Sequence, residues 1–217
     1  CQVLDWRPEL IHCNDWQTGL IPAYLNIEYP ETKGYEHIGS LLTVHNIAYQ
    51  GQFDPDILPL AGLPPEAYTP SGLEYWGRVN LLNSGIVYSQ IINTVSRQYS
   101  RELQTEEYGY GLEGILAYRR DDLFGIVNGV DYESWNPRTD TLIAAPFDPD
   151  HLEGKEICKA DLLREFNLSP DQAAHPVLGV ISRLADQKGF DLLAAIMDRL
   201  LEEEVSRERI EAAMQAE

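Results

Sequence analysis

Five short, predominantly apolar runs, each closed by a polar residue, limit what this chain can fold into more than any other feature. They are LIHC at 10–13, LLTV at 41–44, IINTV at 91–95, LFGIV at 123–127 and VLGVI at 177–181. Their near-continuous apolar character suits strands buried on both faces rather than half-exposed strands, which alternate. The run at 177–181 is the clearest of the five.

Helical patterns lie between the runs. A helix is expected from about Thr18 to Leu25, directly after the first run. Leu193, Ile196, Met197, Leu200 and Leu201 recur at helical spacing and make one apolar stripe. Cys158, Leu162 and Phe166 repeat every fourth residue, with Leu163 beside them. Buried strands alternating with amphipathic helices imply an α/β fold, a parallel sheet with helices on both faces. Ligands of such sheets bind beyond the carboxyl ends of the strands. Those ends carry Asp15, His45, Ser96, Asn128 and Arg183.

The remaining segments read as connections. Residues 52–72, rich in Pro and Gly, suggest a long surface loop interrupted at most by short helices. Trp135-Asn136-Pro137, with Pro146 and Pro149 beyond, suggests a link between two lobes. Residues 206–217 are charged and helix-prone, a solvated tail.

Charge narrows the function. A net charge of −19 repels nucleic acid and anionic lipid, so a phosphate-bearing ligand must be caught locally by a few cations and backbone N–H groups. Arg183 and Lys188 in SRLADQKGF follow a strand and precede a helix opened by Gly189. They make either a diphosphate clamp or an ordinary pair of surface cations. Three cysteines without C-x-x-C spacing argue against a disulfide framework or structural zinc, and fit a reducing compartment such as the cytoplasm. No apolar run is long enough to span a bilayer.

Each other candidate has a plain structural alternative. Asp15 reads as a helix N-cap or as a catalytic carboxylate. His45 reads as a hydrogen-bonded structural histidine or as a site residue. Asn128-Gly129 suits a turn. Glu113 lies in a Gly- and Tyr-rich loop, which allows close approach to a ligand or simply a turn. No Ser-His-Asp order, metal-ligand spacing, G-x-G-x-x-G or P-loop is present.

Six segments taken together, HCNDWQTGLIPAYL, LLTVHNIAYQGQF, LNSGIVYSQIINTVS, EYGYGLEGIL, GIVNGVDYESWNP and VISRLADQKGFDLL, resemble the bacterial and plant glycogen and starch synthase family. They occur in that family's order and reach to about Val205. The resemblance implies a GT-B fold, two facing Rossmann-like domains, both incomplete here. Residues 1–124 would be the later part of the first domain, and residues 125–217 the hinge and the beginning of the second. It implies a retaining glucosyltransferase that uses ADP-glucose to extend an α-1,4-glucan, without a metal or other cofactor, in the cytoplasm or a plastid stroma. By that likeness Asp15 and His45 approach the transferred glucose, and Arg183 and Lys188 hold the donor diphosphate. Asn46, Asn128, Gln17 and Glu113 contact substrate. Gln17 stands where many relatives have His, and Arg97 where a Pro is usual. The family's K-T-G-G-L and E-P-C-G-L segments do not occur, so the 217-residue chain is expected to have little synthase activity alone. A different GT-B sugar transferase and a non-catalytic glucan-binding protein are the competing readings.

Overall fold

A computed structural model describes residues 6–202 apart from Lys33. The charged stretch 206–217 lies outside the described residues. The chain forms two compact units, Cys1–Gly129 and Val130–Glu217.

Four of the five expected strands form, all in the first unit. They are β1 (Leu10–Asn14), β2 (Gly39–Val44), β6 (Ile91–Thr94) and β7 (Leu123–Gly125). They make one parallel sheet in the order β1-β2-β6-β7, with Cys13 opposite Leu42, Leu42 opposite Ile92 and Ile92 opposite Leu123. These four residues share one face, because side chains alternate along a strand. On that face they join a core with residues of α3 (Leu81–Tyr88) and α5 (Glu113–Tyr118), while Ile21 of α1 (Leu20–Ile27) and Tyr99 of α4 (Arg97–Glu102) pack against it.

The expectation of helices on both faces is not met among the described residues. The strands are added in one direction along the sheet. Right-handed crossovers then bring α1, α3, α4 and α5 to the same side. Leu10, Ile91 and Phe124, on the opposite face, remain exposed. That face also holds a polar chain. His12 Nε2 lies 2.6 Å from the Thr43 hydroxyl, which donates to Asn93 Oδ1 at 2.5 Å.

Residues 52–72 carry short helices, as expected, but are more than a surface loop. They contain β3 (Gln52–Phe53), α2 (Ile57–Ala61) and a 3-10 turn at Pro65–Ala67. β3 pairs antiparallel with β5 (Arg78–Asn80), which pairs in turn with β4 (Glu74–Tyr75). Leu58, Leu63, Ala67, Leu73, Val79 and Leu81 bury together as a second core. Pro and Gly therefore punctuate short elements here. Gly62, at φ 68, closes α2 in the left-handed conformation that glycine adopts without strain. Ser96 caps α4 by accepting from the N–H groups of Gln98 and Tyr99. That puts Arg97 at the first helical position, where Pro is also well suited, so the departure from the family pattern costs little.

The second unit contains α6 (Glu153–Glu165) and α7 (Phe190–Glu202). Both helices arise where the apolar spacing predicts them. Leu163 is buried, while Ile196 and Met197 on the predicted stripe of α7 are exposed. Residues 177–181, the clearest strand in the sequence, do not form one. An isolated apolar run leaves its backbone groups unpaired unless a neighbouring strand completes the ladder. The described part of this unit has no β-strand to serve, and Leu178, Val180 and Ile181 face solvent.

Candidate active site at the carboxyl ends of the parallel strands

Parallel pairing of Asn14 with Thr43 brings the ends of β1 and β2 side by side, so the residues that follow each strand emerge together. The Asp15 N–H continues the ladder to the Thr43 carbonyl at 2.9 Å. Its backbone then turns sharply, with φ 55 and ψ −169. The Asp15 carboxylate accepts the His45 backbone N–H at 2.7 Å. The His45 ring is held from the same strand end, with Nε2 3.0 Å from Asn14 Oδ1. An amide oxygen can only accept, so His45 Nε2 is the donor in this contact.

The N-cap alternative for Asp15 is therefore set aside. Its side chain makes no capping bond to the 3-10 turn Trp16–Thr18. Thr18 secures that turn instead: its hydroxyl accepts the Asn14 N–H at 2.6 Å and donates to the Asn14 carbonyl at 2.9 Å. The Asp15 carboxylate is thereby free to fix the start of the His45 loop.

Around this pair, Gln17 is exposed on the same 3-10 turn. Asn46 spends its side-chain oxygen on the Ala48 N–H at 3.0 Å, an Asx turn that shapes the loop, which leaves its amide group for a ligand. Tyr99 is a neighbour that sequence reasoning missed. Its hydroxyl accepts the Ile47 N–H at 3.3 Å. Burial raises its pKa most, the Ile47 bond opposes that, and Tyr110, Glu102 and Asp15 add to the rise. Glu113 opens α5, and its Oε2 is buried without a hydrogen-bond partner. Asn128 is exposed beyond β7, outside any helix or strand.

Arg183 and Lys188 belong to the second unit, and both are exposed. Lys188 closes the 3-10 turn Asp186–Lys188, and Gly189, at φ 68, leads directly into α7. The Leu193 N–H bonds back to the Gly189 carbonyl at 3.0 Å, so the helix N-terminus stands next to Lys188. A lysine beside a helix N-terminus suits an anion, since the helix's unpaired N–H groups add to the positive charge. Among the described residues, no group of three or more His, Cys, Asp or Glu could hold a metal ion. No described helix is long and apolar enough to cross a membrane.

The family model described as "Starch synthase catalytic domain" matches residues 1–118, more than half of the chain and all of the Asp15–His45 site. This chain belongs to the starch synthase catalytic domain family. Curated relatives named glycogen synthase include those of Koribacter versatilis, 48% identical over 197 residues, and Thermotoga maritima, 49% identical over 197 residues. Each alignment covers 91% of this chain and 40% of the relative. The chain thus spans about 40% of the length of the synthases it matches. A solved structure of the catalytic domain of starch synthase IV from Arabidopsis thaliana, bound to ADP and acarbose, superimposes with a TM-score of 0.85 at 35% identity. It covers 93% of this chain and 41% of that structure. The fold is α/β of the GT-B type.

Within this synthase framework, Asn14 and Thr18 act on the site through their neighbours. Asn14 sets the His45 ring, and Thr18 releases Asp15 from capping. Both stand in the HCNDWQTG segment, so their proximity to the site was legible. The partner of Asn14, the His45 ring 31 residues away, was not.

Proposed function

We propose that this chain forms part of a retaining glucosyltransferase that moves glucose from ADP-glucose to the non-reducing end of an α-1,4-glucan. The observation that carries the reading is the coupling of Asp15 to the His45 N–H, at two adjacent strand ends of a starch synthase catalytic domain. It fixes the Asp15 carboxylate against the His45 backbone, while Asn14 holds the His45 ring, where such sheets bind ligands. The ADP and acarbose bound to the Arabidopsis relative support an adenine nucleotide donor and an oligosaccharide acceptor. We assign residues 1–124 to the first domain of the synthase and 125–217 to the hinge and the beginning of the second. The reaction belongs to the cytoplasm, or to the stroma of a plastid.

Under this reading Asp15 and His45 border the transferred glucose. Gln17, Asn46, Asn128 and Glu113 offer hydrogen bonds to sugar hydroxyls. Arg183 and Lys188 hold the donor diphosphate. Negative charge grows on the departing phosphate as the glycosidic bond breaks, so placed cations stabilise the transition state more than the ground state. No side chain in this set calls for a metal.

The test is glucose transfer from ADP-glucose to glycogen by the complete polypeptide that carries this segment. Arg183→Ala and His45→Ala should each lower kcat by ~10²–10³-fold, the usual loss when one placed donor is removed. Undiminished transfer in both variants would refute the assignment.

A further inference from the structure

Among the described residues, four that are not glycine have positive φ: Asp15, Trp76, Tyr110 and Asn167. Asn enters the left-handed helical region readily and Asp15, at ψ −169, turns at a strand end, whereas a bulky aromatic takes positive φ against steric resistance. Trp76 and Gly77, at φ 50 and φ 79, form the two-residue turn between the paired Tyr75 and Arg78. Positive φ at both positions defines the hairpin turn in which Asn-Gly is strongly preferred. Tyr110 and Gly111, at φ 50 and φ 84, repeat the same backbone pattern in the YGYG loop. Packing does not offset the strain, since Trp76 is 86% exposed and Tyr110 is 61% exposed. Strained residues whose rings the fold leaves largely exposed point to a ligand.

The two tips are fastened to each other. The Tyr75 hydroxyl donates to the Tyr110 carbonyl at 3.4 Å, and Gln50 Nε2 donates to the same carbonyl at 3.0 Å. A Cβ on Gly111 would collide with the Tyr75 hydroxyl, so glycine is required there. Burial raises the Tyr75 pKa, Glu113 adds to it, and a hydrogen bond from the Trp76 side chain opposes it. The tips also connect to the candidate active site. Gln50 lies five residues after His45, and exposed Tyr49 lies between them. Tyr99 is close enough to both Asp15 and Tyr110 to feel each of them.

We propose that Trp76 and Tyr110 form an aromatic shelf that receives glucose units of the acceptor chain some way back from its growing end. This rests on the glucan-transfer reading above. A pyranose ring presents an apolar C–H face to an aromatic ring and hydroxyl donors at its rim. Glu74, Glu106 and Glu107, next to the tips in sequence, provide acceptors for such donors. A neutral polyhydroxylated chain therefore suits this acidic surface. A nucleic acid would be repelled, and an apolar protein face would have to strip water from the carboxylates.

The test uses Trp76→Asn and Tyr110→Asn, which remove the ring and install a residue that favours the same backbone. Both variants should unfold at the same temperature as the parent chain or higher. Retardation of the 217-residue chain in native gels containing glycogen reads glucan affinity without requiring transfer. Each variant should bind about ten-fold more weakly, equivalent to 1.4 kcal/mol, of the order expected for covering one ring face. Tyr118→Asn removes an exposed aromatic elsewhere on the unit and should retain full retardation. The proposal is overturned if the parent chain is not retarded, if both shelf variants match it, or if Tyr118→Asn loses as much. Failure of the transfer reading would show differently, as retardation by glycogen without transfer from ADP-glucose in the complete polypeptide.

Discussion

Arg119 is the residue whose loss should destabilise the first unit most for its size. Its guanidinium uses all five N–H donors in one place. Nη1 donates to the carbonyls of Ile86 and Val87 at 2.6 and 3.1 Å, and Nη2 to those of Ser89 and Gln90 at 2.7 and 3.1 Å. Nε donates to the Asp122 carboxylate at 2.9 Å. Ile86 and Val87 belong to the last turn of α3, whose carbonyls have no partner within the helix, and a cation there also opposes the helix dipole. One side chain thus joins the end of α3, the turn into β6 and the approach to β7. It is only 14% exposed.

Simple addition of five charged hydrogen bonds at about 1.5–3 kcal/mol each would overstate the loss, because water reaches the freed carbonyls after truncation. Removing one partner of a buried charged cluster costs about 3–5 kcal/mol. The partial exposure of Asp122, 45%, points to the lower end. Arg119→Ala is therefore expected to cost about 3 kcal/mol, which in a chain of this length lowers Tm by about 6–12 °C. Arg119→Lys keeps the charge but not the planar fork, and should lose about half as much. Asp122→Asn removes a half-exposed partner and should cost under about 1 kcal/mol. Urea unfolding followed by circular dichroism measures all three, with an unchanged m-value confirming that native stability has moved. A loss below about 1 kcal/mol for Arg119→Ala, or equal losses for Ala and Lys, would refute the clamp.

Two further outcomes follow from the geometry. Gly51 has φ 62, and a Cβ there would run into the Trp16 ring, whereas Gly62 has φ 68 with open space around it. Gly62→Ala should cost about 1 kcal/mol from backbone strain alone, and Gly51→Ala a further ~1–3 kcal/mol from overpacking, as read by thermal melting. In the second unit, hydrogen bonds from Arg138 foremost, with help from the Asp150 N–H and His151, lower the Asp148 pKa from 3.8 to about 2. Because the folded-state value is depressed, this contribution to stability is complete above pH 3.8 and disappears as pH falls through 2. Carboxyl titration by NMR should return Asp148 toward 3.8 in Arg138→Gln; a value still near 2 would exclude Arg138 as the cause.

The amino-acid sequence by itself determined the local elements. The runs at 10–13, 41–44, 91–95 and 123–127 became the four parallel strands, and the stripe from Leu193 became α7. It also specified that Asp15 and His45 follow strands, because a strand's end is marked by adjacent residues alone. Tertiary structure decided what depends on partners distant in the chain. The run at 177–181 has strand composition, but pairing with a neighbour decides whether a strand exists, and that requirement lies outside the run itself. Residues 52–72 read as loop because they are rich in Pro and Gly, and only contact with Leu73, Val79 and Leu81 turns them into a core. Asp15 carried the signature of a cap. The backbone N–H that its carboxylate accepts lies 30 residues away, so the absence of a capping bond became visible only with the pairing of β1 and β2. Arg119 looks like any surface cation in YRRDD, and Trp76 like any exposed aromatic. Their importance comes from four distant carbonyls beside the nearby Asp122 in one case and from a strained turn that leaves its ring exposed in the other, and no local pattern of residues encodes either.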